Sequence, residues 1–309
     1  MSTQDRGPPV AATRYRPLHH LRTLVEDRRA RRAPAAIACG PPDGAEEGAT
    51  RPLQLLSFNI QAGISGTRYR DYLTQSWQHL LPSSRRMGNL DRIARLISRF
   101  DMVGLQEVDA GSLRSGFINQ AEYLALRAGF PNWHHQLNRD LGKFAQHSNA
   151  LLSRFCPSAL DAHRLPGLFP GRGVLSATFG TPPDTLVLLI VHLALGQRAR
   201  RQQLGFIAEL ARGHPHVIIM GDLNSPLRQW QDVGPLSALD LHSPAQDLHT
   251  FPSWRPQRGI DHILVGPTLC VDHVSTLPCS YSDHLPIAME VRIPAAIELE
   301  PRPTATVAV

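Results

Sequence analysis

Apolar runs of four to eight residues recur along the chain, and most of them stop at a polar side chain. Residues 53–60, 102–105, 150–153, 174–179, 186–191, 217–220, 260–265 and 287–291 read as strands, being short, rich in Leu, Ile and Val, and bounded by turn residues. Leu90, Ile93, Ala94 and Ile97 fall on one helical face, and so do Leu204, Ile207, Ala208 and Ala211. Strands outnumber helices, so the pattern predicts an α/β chain with hairpins and a mixed sheet rather than a purely doubly wound one. No repeat of fixed period is visible.

The residues that close these runs share a chemistry. Gln106-Glu107 follows one run, His192 another, and Gly221-Asp222-Leu223-Asn224 a third; Tyr281-Ser282-Asp283-His284 precedes the last. Strands that repeatedly finish in Glu, His, Asp or Asn point to one convergent polar site.

Composition narrows the class. With 309 residues, 42% hydrophobic and 19% charged, the chain has enough apolar surface for one large core or two modest ones. No Gly/Ser/Pro-rich linker divides the centre, which predicts one domain over residues 52–293. It is flanked by a disordered basic tail, residues 1–51, and a disordered C-terminal tail, residues 294–309, with a short possible helix at residues 18–32. The longest apolar stretch falls far short of the roughly 20 residues a membrane span needs. The N-terminus lacks the apolar segment of a secretory signal. Four cysteines without zinc or redox spacing make the cytoplasm the default location.

The net charge of +6 suggests a nucleic-acid partner, but residues 1–52 hold nine Arg against six acids, leaving the remainder at +3. The Arg28-Arg29-Ala30-Arg31-Arg32 run is either a solvated tail or a peripheral contact with an anionic membrane or RNA. Lys143 is the only lysine, consistent with GC-rich coding.

Each candidate residue has a chemical and a structural reading. Glu107 at a strand end suits Mg²⁺ as a hard oxygen ligand, with the amide oxygen of Asn59 beside it; alone, either is an ordinary strand-end or turn residue. Asp222 and Asn224 alternate across Leu223, the spacing of a carboxylate that deprotonates water and an amide that donates to a phosphoryl oxygen, or equally of an Asx turn. His192 is a donor to charged oxygen or a bonded core histidine. In Asp283-His284 the carboxylate suits a metal and the imidazole a phosphate, with Asp261 holding His284 and raising its basicity.

Taken in order, Ser57-Phe58-Asn59, Leu105-Gln106-Glu107-Val108, Asn149-Ala150-Leu151-Leu152-Ser153-Arg154, Val191-His192-Leu193, Gly221-Asp222-Leu223-Asn224, Ile260-Asp261-His262-Ile263-Leu264 and Ser282-Asp283-His284-Leu285-Pro286 closely resemble the endonuclease/exonuclease/phosphatase superfamily, the deoxyribonuclease I-like metal-dependent phosphoesterases. Arg200 and Gln203 fit its small bacterial members. The resemblance spans residues 53–292. It implies a four-layer α/β sandwich, two stacked mixed β-sheets flanked by helices, with the site at one end. It also implies metal ligation by Glu107, helped by Asn59 and Asp283, with Mg²⁺ as the ion and Mn²⁺ as a substitute. Asp222 would activate water; Asn149, His192, Asn224 and His284 would stabilise phosphoryl charge; Asp261 would pair with His284. Two departures stand out: Ser148 where Gly often precedes the Asn, and Gly259 where Arg usually precedes the Ile-Asp pair.

The expected reaction is hydrolysis of a phosphoester, most simply a phosphodiester, by in-line attack of water. Nucleic acid is the first substrate expectation, a phospholipid or phosphoinositide headgroup the second, and a non-catalytic binding module on the same fold the third. Residues 250–258, with Phe251, Trp254, Arg255 and Arg258, either hold a base or headgroup or simply pack. A monomer is expected.

Overall fold

The computed structural model describes residues 50–64, 84–140, 146–167, 171–226, 235–244 and 248–301. The tail at residues 1–49, its Arg-rich run and possible helix, and residues 302–309 lie outside the described residues. In chain order the elements are β1 (Thr50–Asn59), α1 (Ser84–Ile97), β2 (Met102–Val108), α2 (Gln120–Ala128), β3 (Asn132–Asp140), β4 (Gln146–Ser153), β5 (Ala159–Arg164), β6 (Gly173–Thr181), β7 (Asp184–His192), α3 (Gln197–Ala211), β8 (His216–Asp222), β9 (Asp261–Val265), β10 (Cys270–Thr276) and β11 (Ile287–Pro294).

They build a six-stranded sheet, order β10-β11-β1-β2-β4-β3, and a five-stranded sheet, order β5-β6-β7-β8-β9. Each is mixed, as predicted. β1 and β2 are parallel with α1 between them in sequence; β7 and β8 are parallel with α3 between them; the other pairs are antiparallel.

The period of two explains why some strands are apolar throughout. Leu53 and Leu55 of β1, Leu186, Leu188 and Ile190 of β7, and Ile218 and Met220 of β8 share one core where the sheets face each other. Their alternates diverge. Leu56 and Phe58 join Leu90, Ile93, Ala94 and Ile97 of α1 together with α2, whereas Val187, Leu189, Val217 and Ile219 join Leu204, Ile207, Ala208 and Ala211 of α3. Helices therefore cover the outer face of each sheet, giving four layers. At Gly104 the sheets are so close that an added Cβ would lie 2.7 Å from Met220 Cε.

Four elements escaped the apolar pattern: β3, β5, β10 and α2. β3, β5 and β10 are edge strands, and β5 is almost wholly exposed, so none needs an apolar run. α2 is set by its ends: Asn119 accepts from the Ala121 and Glu122 amides, and Gly129, at φ 74°, closes it.

The domain limits need correction. Thr50 and Arg51 belong to β1, paired with Pro294 and Ile293, and residues 294–301 are packed rather than a tail. Ile297 and Leu299 are buried in the core between the sheets, Arg51 donates to the Ile297 carbonyl, and the Cys156 amide donates to Glu300 O at 3.0 Å. Ile297 and Leu299 alternate with exposed Glu298 and Glu300, a pattern too short to tell from a tail before the docking is seen. No helix among the described residues is long and apolar enough to cross a membrane.

Candidate active site

The strand register assembles the site. His192, Asp222 and Asp261 are direct partners across β7, β8 and β9. Gly221 makes this possible: at φ 147° a Cβ there would stand 1.9 Å from Val191 O. On the other sheet Asn59 pairs with Gln106. The β2–β4 register then shifts between Leu105 and Val108, and Glu107 takes φ 56°. This bulge turns Glu107 toward the cleft while Gln106 stays buried. A left-handed Glu is held against its own preference, as happens at functional positions.

Asp222 stands at the centre. Its Oδ1 accepts the Asn224 amide at 2.8 Å, and its Oδ2 accepts Asn59 Nδ2 at 3.2 Å. The same Oδ2 lies 3.5 Å from His192 Nε2 and 3.9 Å from His284 Nε2. Burial and the charge of Asp261 push its carboxyl up to about 7, against the opposing pull of His284. His284 donates from Nδ1 to Asp261 Oδ2 at 2.8 Å. Burial opposes its charge, but Asp261, Asp222 and Asp283 together raise it to about 10, so it is an imidazolium. Thr250, fully buried, donates to the same Asp261 oxygen at 2.5 Å.

His192 behaves oppositely. Burial, Arg172 and then His284 hold it well below its ordinary 6.5. Arg172 Nη1 lies 2.9 Å from Nδ1 and 2.8 Å from Nε2; a neutral ring has one acceptor, so only one of these contacts is a hydrogen bond. Arg172 is also drawn to Glu107 and Asp222.

Asn149 lies in the seam between the sheets. Expected to face a phosphoryl group, it spends Nδ2 on the Gly173 and Ile190 carbonyls at 2.9 and 3.4 Å, leaving its buried Oδ1 without a partner. It ties β4 to β6 and β7. Asn224, at φ 52°, gives one amide hydrogen to Leu193 O at 2.9 Å, so the Asx turn and the site coexist. Gln203 accepts from the Ala194 amide and donates to Pro166 O, and Arg200 donates to the Ala194 and Leu195 carbonyls; both brace the loop after His192. Phe251 packs on His284 at 5.0 Å and carries Arg258 on its ring. The Ser253 amide and hydroxyl bond Asp283 O and Ser282 O, so the loop 250–258 buttresses the last motif.

Sequence reasoning missed Arg172 and Thr250. Neither closes an apolar run; only Thr250's place before the Asp261 strand gave a signal. It also missed the cleft of about 1100 Å³ beside Glu107, lined by Arg139, His147, Arg172, Leu195 and Arg198.

The residues suit a divalent cation. Burial raises both Asp222 and Asp283, and Glu107 raises Asp283 further, the cost that a bound cation removes. Asp222, Asp261 and His284 offer ligand atoms within 4.8 Å of one another. His284 Nδ1 is already spent on Asp261, and the carboxylates of Glu107 and Asp283 are oxygen donors of the hard kind that Mg²⁺ takes.

Two stacked mixed sheets flanked by helices, with carboxylates and imidazoles gathered at the strand ends, define a deoxyribonuclease I-like phosphoesterase. The chain belongs to the Endonuclease/Exonuclease/phosphatase family, whose pattern matches residues 56–284, and is a metal-dependent phosphoesterase. Among solved structures, an endonuclease/exonuclease/phosphatase from Beutenbergia cavernae is similar at 19% identity, over 79% of this chain and 72% of that one, with a TM-score of 0.60. A mannosyl-6-phosphatase from Bacteroides thetaiotaomicron matches at 18%, over 77% and 99%, TM-score 0.57. TDP2 of D. rerio, complexed with single strand DNA product, matches at 19%, over 78% and 98%, TM-score 0.56. At these identities the likeness is one of fold. No curated protein sequence matches the chain significantly.

Proposed function

We propose that the protein is a Mg²⁺-dependent phosphodiesterase that cuts a nucleic-acid strand by direct attack of water. One observation carries this: Asp222, buried and raised to about 7, is surrounded by Asn59, His192 and His284, so near neutrality it can take the proton of a water aligned beside it. As the water oxygen bonds to phosphorus and the ester oxygen leaves, charge builds on the phosphoryl oxygens. His284, held by Asp261, and Arg172 supply fixed positive charge there, and the neutral His192 supplies a polar contact. A divalent cation held by Glu107 and Asp283, with Asn59 beside them, supplies Lewis acidity when bound. The role given to Asn149 is structural.

The test is hydrolysis of single-stranded DNA, RNA, phosphatidylglycerol vesicles and phosphoinositide micelles with and without Mg²⁺. Asp222→Ala should lower kcat on the preferred substrate by about 10²–10⁴. Glu107→Ala should raise the Mg²⁺ concentration needed for half-maximal rate. Wild type and both variants turning over every substrate equally would end the proposal.

One observation favours a lipid headgroup instead: Leu195, at the cleft, is 76% exposed. Preference for vesicles, lost in Leu195→Glu, would choose that reading.

A further inference from the structure

The cleft beside Glu107 holds more positive charge than one scissile phosphate requires. Arg139, Arg172 and Arg198 line it, against Glu107 as its sole lining carboxylate among the described residues. Arg172 is committed to His192, Glu107 and Asp222. Arg139 and Arg198 have no ion-pair partner among the described residues, and both are exposed. Arg139 is steered into the cleft by Gly171: an added Cβ at Gly171, φ 115°, would meet the Arg139 Cβ, Cγ and Cδ atoms at 3.1–3.3 Å, so the stem runs along the bare glycine backbone. The charge of Arg139 also reaches Arg172 and disfavours its protonated form. Like charges gathered in a concave site are costly until an anion bridges them, and a forked guanidinium matches phosphate geometry.

We infer that Arg139 and Arg198 form a subsite for a second phosphate group of the substrate, adjoining the one that is cut. This rests on the proposed phosphodiesterase reading and sharpens it: the preferred substrate carries at least two phosphates, either along a nucleic-acid strand or on one small bisphosphate. The subsite acts in binding and takes no part in the proton transfers.

Binding and turnover are measured separately so that the two readings can fail independently. In the first arm, calorimetry in EDTA compares thymidine 3′,5′-bisphosphate with thymidine 5′-monophosphate. Wild type should bind the bisphosphate about ten-fold more tightly, the Arg139→Gln/Arg198→Gln variant should bind the two alike, and the Arg139→Lys/Arg198→Lys variant should keep part of the preference. In the second arm, Mg²⁺-dependent kcat/KM is compared for a thymidine dinucleotide with and without a 5′-phosphate, where wild type should gain about ten-fold, chiefly through KM. Equal binding of the mono- and bisphosphate by wild type overturns the subsite whatever the turnover shows. So does a preference that survives in the double Gln variant. A binding preference with neither dinucleotide cut sustains the subsite and overturns the phosphodiesterase reading. Affinity that keeps rising with longer phosphorylated oligothymidylates assigns a strand; affinity complete at two phosphates assigns a small bisphosphate.

Discussion

His192 and His284 are buried to nearly the same degree, at 4% and 6% exposure, and stand on either side of Asp222, yet they carry opposite charge states. His192 is held neutral by burial first and by the Arg172 guanidinium second; His284 sits against Asp261 and is held protonated. Burial alone would neutralise both. The difference teaches that depth makes the neutral ring the default, reinforced at His192 by Arg172, and that the carboxylates around His284 overturn it.

The sharpest way to break the contrast is Asp261→Asn. His284 should lose its proton near neutrality and kcat should fall by about 10²–10⁴, which pH-dependent kinetics and imidazole NMR titration in chelator would show together. A His284 that still titrates near 10 would mean that Asp222 and Asp283 suffice. From the other side, Arg172→Met should let the His192 pKa rise only part of the way, because burial remains, and cost about ten-fold or more in kcat/KM. A His192 pKa that does not move at all would remove Arg172 from the account. Thr250→Val, which strips one donor from Asp261, should cost roughly ten-fold, and Thr250→Ser should restore the rate.

The smallest effect is in stability. His284, raised in the fold, contributes stability that is full below its unfolded value of 6.5 and is lost as pH rises toward about 10. His192, depressed in the fold, contributes stability that is lost as pH falls below 6.5. Chemical denaturation in chelator should therefore show the two groups' combined contribution peaking near pH 6.5, with the alkaline decline flattened by about 1 kcal/mol or more in Asp261→Asn.

Much of this was legible before the structure. Strands carrying two cores announce themselves as unbroken apolar runs, and the polar residue ending each run lands on the common edge of the sheets. Asn59, Glu107, His192 and Asp222 close their runs that way, whereas Asp261 opens β9 and His284 stands just before β11. Edge strands such as β5 were hidden because one exposed side asks for no pattern. The bulge at Glu107 was hidden too, since a left-handed Glu is imposed by its neighbours rather than by its own preference. Asn149 and Asn224 could be located but not oriented: which carbonyls claim an amide depends on how strands from different parts of the chain come together. Arg172 was invisible because a single Arg ahead of a strand, unlike the Asp283-His284 pair, carries no recognisable pattern.

The near contact of Gly104 with Met220 gives the seam between the sheets another meaning. Asn59 and Asp222 come from opposite sheets, and so do Asn149 and the carbonyls it grips. Their spacing is inherited from an apolar joint several residues away, so the enzyme's rate works as a ruler for that joint. A methyl group added by Gly104→Ala would first push aside the flexible end of Met220 and then press on Ile190 at 3.3 Å, and a fall in turnover while the chain was still fully folded would show that the joint had shifted.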